Sequence, residues 1–201
     1  MSISVRAMTL ADVDQVMEIE REAFPTQWPP TSFRRELQNR LAHYFVAKDD
    51  KVKVGRPSSP QARRGWFWRL LRSQPPREEA PLVVAVGGIW MLYDEAHITT
   101  VAVREAYRRK GIGELLLIKA IERAQELGAG MMTLEVRVSN LAAQALYEKC
   151  GFRQLGVRRG YYSDNHEDGI IMTTDPFTST PFQALFQRLK EDHARRWGVR
   201  L

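Results

Sequence analysis

The chain has 201 residues, of which 44% are hydrophobic and 27% are charged, and its formal net charge is +6. This composition is typical of one globular domain with a substantial core, and its apolar runs are far shorter than the roughly 20 residues of a membrane-spanning helix. The first residues lack the apolar core of a signal peptide, so we expect a cytoplasmic protein. The single cysteine, Cys150, excludes an intrachain disulfide and any multi-cysteine metal site.

The basic charge is concentrated in one segment. Eight of the 30 basic residues lie between Lys51 and Arg77, where there is no acid, and the rest of the chain has 22 basic against 24 acidic residues. A nucleic-acid-binding fold would carry basic charge across its main surface. The prolines and scarce core residues predict a mobile insertion at about 49–81. Its charge suits contact with a polyanion or an anionic membrane surface through 51–77, and the alternative is a merely solvated surface.

Periodicity, capping residues and prolines predict the remaining elements. In chain order they are a strand at 3–8, a helix begun by a capping box of Thr9 and Asp12, a short helix at 31–41, strands at 43–48, 82–92 and 97–103, a helix at 111–128, a strand at 131–138, a helix at 140–151, a last strand at 167–174, and a C-terminal helix begun by Thr180 and Gln183. Strands and helices mixed in this way predict an α/β layered domain at 1–175 with a helical extension at 176–201.

The sequence YRRKGIG at 107–113 places two glycines and three cations directly before an apolar helix. A helix N-terminus offers unpaired N–H groups and a partial positive charge, which together bind phosphate oxygens. Gly111 and Gly113 have no Cβ to keep a phosphate from the backbone. The segment lacks the lysine and hydroxyl pattern of a P-loop, and it lies too far along the chain for a dinucleotide fold.

A second group of polar residues follows in TLEVRVSNLAAQALYEKCGF. Glu135 lies in a predicted strand between Leu134 and Val136, so its side chain points away from the face on which they pack. Asn140 and Tyr147 are seven residues apart, which puts them on one face of the next helix. The structural alternative for Glu135 is an ion pair with Arg137, two residues on.

These motifs resemble the GNAT superfamily of acetyl-CoA-dependent N-acetyltransferases, and within it the RimI-type branch that acts on ribosomal-protein N-termini. RRKGIG matches the pyrophosphate loop of the superfamily, and LEVRVSNLAAQALYEKCGF is similar to the second signature of the branch. RRGYYSDNHEDGIIM at 158–172 and AFPTQWPPTSF at 23–33 resemble its two substrate loops. The resemblance covers most of 1–50 and 82–175, but neither the basic insertion nor the tail.

The resemblance implies a mixed, mostly antiparallel sheet that splays at a V-shaped acetyl-CoA cleft and is flanked by helices. It implies Glu135 as general base and Tyr147 as general acid, without a metal. The implied acetyl-CoA-binding residues are Val101, Ala102 and Val103 for the pantetheine arm, Arg108, Arg109, Lys110, Gly111, Ile112 and Gly113 for the diphosphate, and Asn140 and Tyr147. The implied acceptor-binding residues are Phe24, Trp28, Tyr161 and Tyr162, for which core packing or an aromatic lid is the alternative.

The function that the resemblance implies is acetyl transfer to the N-terminal α-amine of a protein or peptide, with a ribosomal protein as the candidate acceptor. One alternative is an enzyme that acetylates lysine or a small amine, since substrate loops vary most among proteins that share a fold. Another is a CoA-binding or RNA-tethered module without turnover, against which the presence of both Glu135 and Tyr147 argues.

Overall fold

The computed structural model describes residues 2–26, 30–55 and 79–198. Within these ranges seven strands form one sheet with helices on both faces. The strands are β1 (Ile3–Ala7), β2 (Ala42–Gly55), β3 (Glu79–Leu92), β4 (Glu95–Val103), β5 (Met131–Arg137), β6 (Phe152–Tyr162) and β7 (Glu167–Thr174). The helices are α1 (Val13–Ala23), α2 (Phe33–Glu36), α3 (Ile112–Glu126), α4 (Leu141–Lys149) and α5 (Thr180–Trp197).

The sheet opens between its two central strands. Its order is β1-β2-β3-β4-β5-β7-β6, and only the β4–β5 pairing is parallel. That pairing joins Glu95–His97 to Met131–Thr133 and then stops, although β4 continues to Val103 and β5 to Arg137. A register shift at Gly88/Ile89 bends β4 as it leaves β5. The predicted mixed, mostly antiparallel sheet with a cleft between these strands is therefore confirmed.

Two apolar clusters hold the helices on the sheet. On one face α3, with Leu116 and Leu117 fully buried, forms a large core together with Phe186 of α5. On the other face Val16 and Ile19 of α1 form a smaller core against β2 and β3. Because α5 contributes to the main core, the C-terminal segment is packed as an integral layer of the domain.

Most predicted elements are present, and the differences have local causes. The sequence did not predict β6, an edge strand that pairs with β7, because two register shifts, at Gln154/Gly156 and Arg158/Tyr162, break the alternation of its apolar residues. Strands β2 and β3 run seven and three residues into the expected insertion, where Gly55 pairs with Glu79. Helix α2 is a single turn, and Ser179 instead of Thr180 caps α5, its Oγ accepting from the Phe182 N–H at 3.4 Å.

The basic segment is described only at its ends. Residues 56–78 lie outside the described residues. Two predictions fall largely on this segment, the mobile insertion and the polyanion contact through 51–77, and both stay predictions.

Candidate active site

The predicted phosphate loop forms a turn that leads directly into α3. Arg109 and Gly111 adopt left-handed backbone conformations, with φ of 61° and 76°, and Gly111 is the N-cap residue. No hydrogen bond within the described ranges uses the N–H groups of residues 109–111. The N–H groups of residues 112–114 belong to the first helical turn, which has no intrahelical acceptor for them. The loop therefore offers six consecutive N–H groups to an anion.

The three cations of the loop do different things. Arg108 donates from Nε to the Val103 carbonyl at 3.2 Å, and Lys110 donates from Nζ to the Ala106 carbonyl at 2.7 Å. Both side chains thus tie the loop to the chain that precedes it. Arg109 is exposed and bonds to none of the residues that the structure describes. Their combined charge makes the loop a favourable place for a phosphate.

The two glycines of the loop face different neighbours. A Cβ on Gly113 would lie 3.1 Å from Leu146 of α4 and 3.9 Å from Val103 of β4, on the cleft side. A Cβ on Gly111 would lie 2.5 Å from Cε2 of Trp197, at the end of α5. From the sequence, we expect both glycines to be needed so that a phosphate can approach the backbone. The structure shows two other reasons for glycine at position 111, its positive φ and its contact with the Trp197 indole.

The edge of β4 that faces the cleft is open. Val101, Ala102 and Val103 pair with β3 on one side, while β5 has already diverged on the other. An extended ligand can bind such an edge as an added strand does. This is the arrangement predicted for the pantetheine arm.

Glu135 lies on β5 just beyond the last residue pair that joins β5 to β4. Its side chain is 7% exposed, and its two carboxylate oxygens contact two cationic or proton-binding groups: Nε2 of His97 at 3.1 Å and a guanidinium nitrogen of Arg158 at 3.2 Å. The alternative pairing with Arg137 is wrong. Arg137 instead binds Asp164 at 2.9 Å and Glu167 at 3.2 Å.

His97 is held by a short chain of hydrogen bonds. The Thr133 hydroxyl lies 2.5 Å from a carboxylate oxygen of Glu95, and a carboxylate only accepts, so Thr133 donates. Its oxygen can then accept from the Nδ1–H of His97, 3.2 Å away. This tautomer leaves Nε2 of His97 facing Glu135, a contact that is favourable when a proton lies between the two.

Tyr147 of α4 is buried in the main core. Its ring packs edge-to-face on Phe152, with centroids 5.8 Å apart. Burial raises the pKa of Tyr147, and the nearby Tyr162 and Cys150 raise it further. The hydroxyl is therefore kept protonated at neutral pH, as a proton donor requires. Asn140 is not on the helix as predicted but is its N-cap residue, whose Oδ1 accepts from the Ala143 N–H at 3.2 Å.

The two predicted acceptor tyrosines lie near the predicted base and acid, Tyr161 near Glu135 and Tyr162 near Tyr147. Tyr161 and Tyr162 contact each other edge-to-face at 5.1 Å, and the Arg137 guanidinium lies 3.9 Å from the Tyr162 ring centroid. Burial raises the pKa of Tyr161, and the Glu135 carboxylate raises it further, which places the two side chains together. Burial also raises the pKa of Tyr162 to about 12.

The segment after α1 reaches the hairpin between β6 and β7. The Thr26 hydroxyl donates to Asp164 at 2.5 Å, and Asp164 is also bound by Arg137. Phe24 is half-buried against the smaller core, as its packing alternative describes, and Trp28 lies outside the described residues. Acceptor binding by Phe24 and Trp28 thus stays a prediction.

His97 and Arg158 are the residues that sequence reasoning missed. Both reach Glu135 through strand pairing, His97 across β4 and β5 and Arg158 across β6 and β7. The part of the chain that the structure describes contains no group of three or more His, Cys, Asp or Glu side chains suited to hold a metal ion.

The acetyltransferase (GNAT) family model matches residues 13–152. A candidate ribosomal protein bS18-alanine N-acetyltransferase of Bacillus subtilis is 37% identical over 84% of this chain and 93% of its own. The N-alpha-acetyltransferase RimI of Mycobacterium tuberculosis is 32% identical over 86% of this chain and 92% of its own. The crystal structure of the ribosomal-protein-S18-alanine N-acetyltransferase from Escherichia coli superposes with a TM-score of 0.67 at 26% identity, covering 89% of this chain and 96% of that one.

The open α/β sheet and the match to the acetyltransferase family model together define the class of this protein, an acetyl-CoA-dependent N-acetyltransferase. The chain belongs to the GNAT acetyltransferase family, as its motifs predicted, and its relatives are N-terminal acetyltransferases of the RimI type. Among the helices within 2–26, 30–55 and 79–198, none has the length and apolar character to cross a membrane.

Proposed function

We propose that this enzyme acetylates the N-terminal α-amine of a cytoplasmic protein, with a ribosomal protein as the acceptor. The observation that supports this most directly is the buried Glu135 carboxylate, held by His97 and Arg158 just beyond the point where β4 and β5 part. The relatives named for the alanine of ribosomal protein S18 suggest the class of acceptor.

The neutral fraction of the acceptor amine favours an α-amine over a lysine. An N-terminal amine has a pKa of about 8 and lysine one of about 10.4, so about a tenth of the first and only a few hundredths of a per cent of the second is neutral at pH 7. Glu135 takes the proton of the attacking amine, directly or through one water molecule. His97 is positioned to share that proton with Glu135, because its Nε2 already faces the carboxylate.

On the donor side, acetyl-CoA supplies the acyl group as a thioester. The open edge of β4 at Val101–Val103 binds its pantetheine arm. The loop at 108–113 binds its diphosphate through the N–H groups from Arg109 onward, because the Arg108 N–H is already bonded to the Glu105 carbonyl. Tyr147 donates its proton to the departing thiolate, and its raised pKa keeps that proton on the hydroxyl until then. Asn140 lies at the start of the same helix, where its exposed amide can contact the cofactor.

The acceptor enters from the side of Arg158 and the two tyrosines. The Arg158 side chain is 55% exposed, so an incoming amine can replace its guanidinium at Glu135 without disturbing the core. Tyr161 and Tyr162 bind the first residues of the acceptor, and the bond between Thr26 and Asp164 fixes the segment after α1 to the hairpin that follows these tyrosines.

The experiment is an acetyl-transfer assay with three matched acceptors. One peptide has a free N-terminal alanine and one internal lysine, the second is the same peptide with its terminus blocked, and the third acceptor is a polyamine. We expect acetyl-CoA to be consumed only with the free terminus, and mass spectrometry to find the acetyl group on the α-amine. Acetylation of the blocked peptide or the polyamine would favour the lysine or small-amine alternative. No turnover with any acceptor would favour a CoA-binding module.

We also propose that the basic segment 51–77 contacts a polyanion, such as the ribosome, or an anionic membrane surface. Eight cations without an acid support this, because such a charge attracts anionic surfaces at low salt. Shortening 56–78 to a tight turn between the paired Gly55 and Glu79 should leave peptide acetylation within about threefold, which is under 1 kcal/mol. Retention on ribosomes or anionic vesicles at low salt should fall. Unchanged retention on both would leave the segment as a solvated surface.

A further inference from the structure

The end of α5 lies against the phosphate loop at 108–113, on the side away from the β4 edge. The helix is anchored in the main core by Phe182, Phe186 and Leu189. Its last residue, Trp197, lies so close to the α-carbon of Gly111 that a Cβ there would be 2.5 Å from Cε2 of the indole. Beside this contact is a cavity of about 280 Å³ bordered by Ile3, Lys110, Gly111, His193, Arg196 and Trp197. The loop thus has open space behind it, and the indole limits its movement into that space.

A second contact fixes α5 to the same turn of α3. Glu114, in the first turn, accepts from Nδ1 of His193 at 3.1 Å and also from the Lys149 ammonium. Both Glu114 and His193 are buried, with 7% and 1% of their surface exposed. Burial raises the pKa of Glu114, but the bonds from His193 and Lys149 outweigh it and leave the pKa lowered. The carboxylate is therefore ionised, and its charge is balanced at the helix end where the diphosphate binds.

We infer that Trp197 is a positioning residue for acetyl-CoA, acting through Gly111. This rests on the proposed binding of the diphosphate at residues 108–113. Six N–H groups can bind two phosphates strongly only when the loop already holds them in one direction, because ordering the loop on binding would cost free energy. Trp197 keeps Gly111 in its left-handed conformation and keeps the loop out of the cavity.

The surroundings of the two glycines show whether Trp197 supports the loop or blocks the phosphate site. Gly113 faces Leu146 and Val103, which border the cleft, whereas Gly111 faces Trp197 on the side of Ile3 and His193. Trp197 therefore lies behind the loop with respect to the pantetheine cleft. Its indole supports the phosphate site without occupying it.

The test compares Trp197→Ala and Trp197→Phe with Arg195→Ala. Arg195 is an exposed residue of the same helix that pairs with Asp192 one turn away, so its loss controls for general effects on α5. CoA affinity is measured by calorimetry. Protection of the amides of residues 109–112 is measured by hydrogen–deuterium exchange without cofactor, and kcat and KM are measured by peptide acetylation. Thermal denaturation verifies that each variant is folded.

We expect Trp197→Ala to weaken CoA binding about fivefold or more. Substitution of residues that do not touch a ligand can change its affinity by this amount. The KM for acetyl-CoA should rise by the same factor while kcat at saturation stays within about twofold, because Trp197 touches no reacting atom. Loop amides should exchange faster, Trp197→Phe should recover part of the affinity, and Arg195→Ala should behave as the wild type.

A double-mutant cycle with Gly111→Ala adds a direct measure of the contact. The added methyl group meets the indole in the wild type but not in Trp197→Ala, so its effect on CoA affinity should be smaller in that background. Unchanged CoA affinity and unchanged loop exchange in folded Trp197→Ala would overturn the inference, and so would tighter binding, which would identify an obstruction. If the wild type itself bound no CoA, the proposed function would fail, and the exchange comparison alone would still decide whether Trp197 holds the loop.

Discussion

Removing the hydroxyl of Tyr147 should separate its chemistry from its packing. Tyr147→Phe keeps the ring against Phe152, and within the described ranges no hydrogen bond to the Tyr147 hydroxyl is lost. The free energy of unfolding should therefore stay within about 1 kcal/mol of the wild type. If the hydroxyl protonates the departing thiolate, kcat should fall by roughly 10²-fold, or about 2.7 kcal/mol in the activation barrier.

The assay is release of free CoA thiol at saturating acetyl-CoA and peptide, with thermal denaturation and CoA calorimetry on the same samples. Tyr93→Phe is the matched control, because Tyr93 is fully exposed in the turn between β3 and β4. It should leave kcat, stability and CoA affinity unchanged.

The pH dependence gives a second, independent reading of Tyr147. Burial disfavours the charged phenolate and so raises the pKa, which means the acid stays protonated above the ordinary value of about 10. The wild-type rate should rise with pH as the acceptor amine loses its proton, without a decline from Tyr147 below about pH 10. A folded Tyr147→Phe with kcat within about threefold of the wild type would refute its role as the acid.

Three further predictions follow from the site. Glu135→Gln should lower kcat by roughly 10²-fold near pH 7 and recover partly as pH rises past about 8, where the amine deprotonates unaided; a wild-type pH–rate profile would make Glu135 structural. Gly113→Val should weaken acetyl-CoA binding at least tenfold by calorimetry, about 1.4 kcal/mol, because its side chain enters the space bordered by Leu146 and Val103; unchanged affinity would place the diphosphate elsewhere. Cys150, whose pKa burial raises to about 12, should resist iodoacetamide at about pH 8 in the folded protein, and labelling at the rate of a free thiol would contradict this.

Local sequence patterns were sufficient to locate those parts of the candidate site that lie on a single helix, strand or loop. The phosphate loop, the strand of Glu135 and the helix of Tyr147 are each specified by a short run of residues, and the resemblance assigned roles to them. The same runs specify the parallel pairing of β4 and β5 only indirectly, since it joins residues 36 apart.

The rest depended on contacts that no local pattern contains. His97 and Arg158 meet Glu135 because three strand pairings place them there, and β6 itself shows no apolar period by which to recognise it. One of the two structural reasons for glycine at position 111 lies 86 residues away, at Trp197. Similarly, the pairing of Glu135 with Arg137 was plausible from their spacing and wrong, because the hairpin between β6 and β7 offers Arg137 two carboxylates.

Because β4 and β5 separate early, only three residue pairs join the half of the sheet that ends at β4 to the half that begins at β5. If acetyl-CoA binds along the open edge of β4 as proposed, it bridges the two halves of the sheet, and the stability of the whole fold then depends on the concentration of acetyl-CoA. At a ligand concentration one hundred times its dissociation constant, this linkage adds about 2.7 kcal/mol to the free energy of unfolding. For a chain of this length that corresponds to a rise in Tm of about 5 °C or more, so the protein would be hardest to unfold when its acyl donor is abundant.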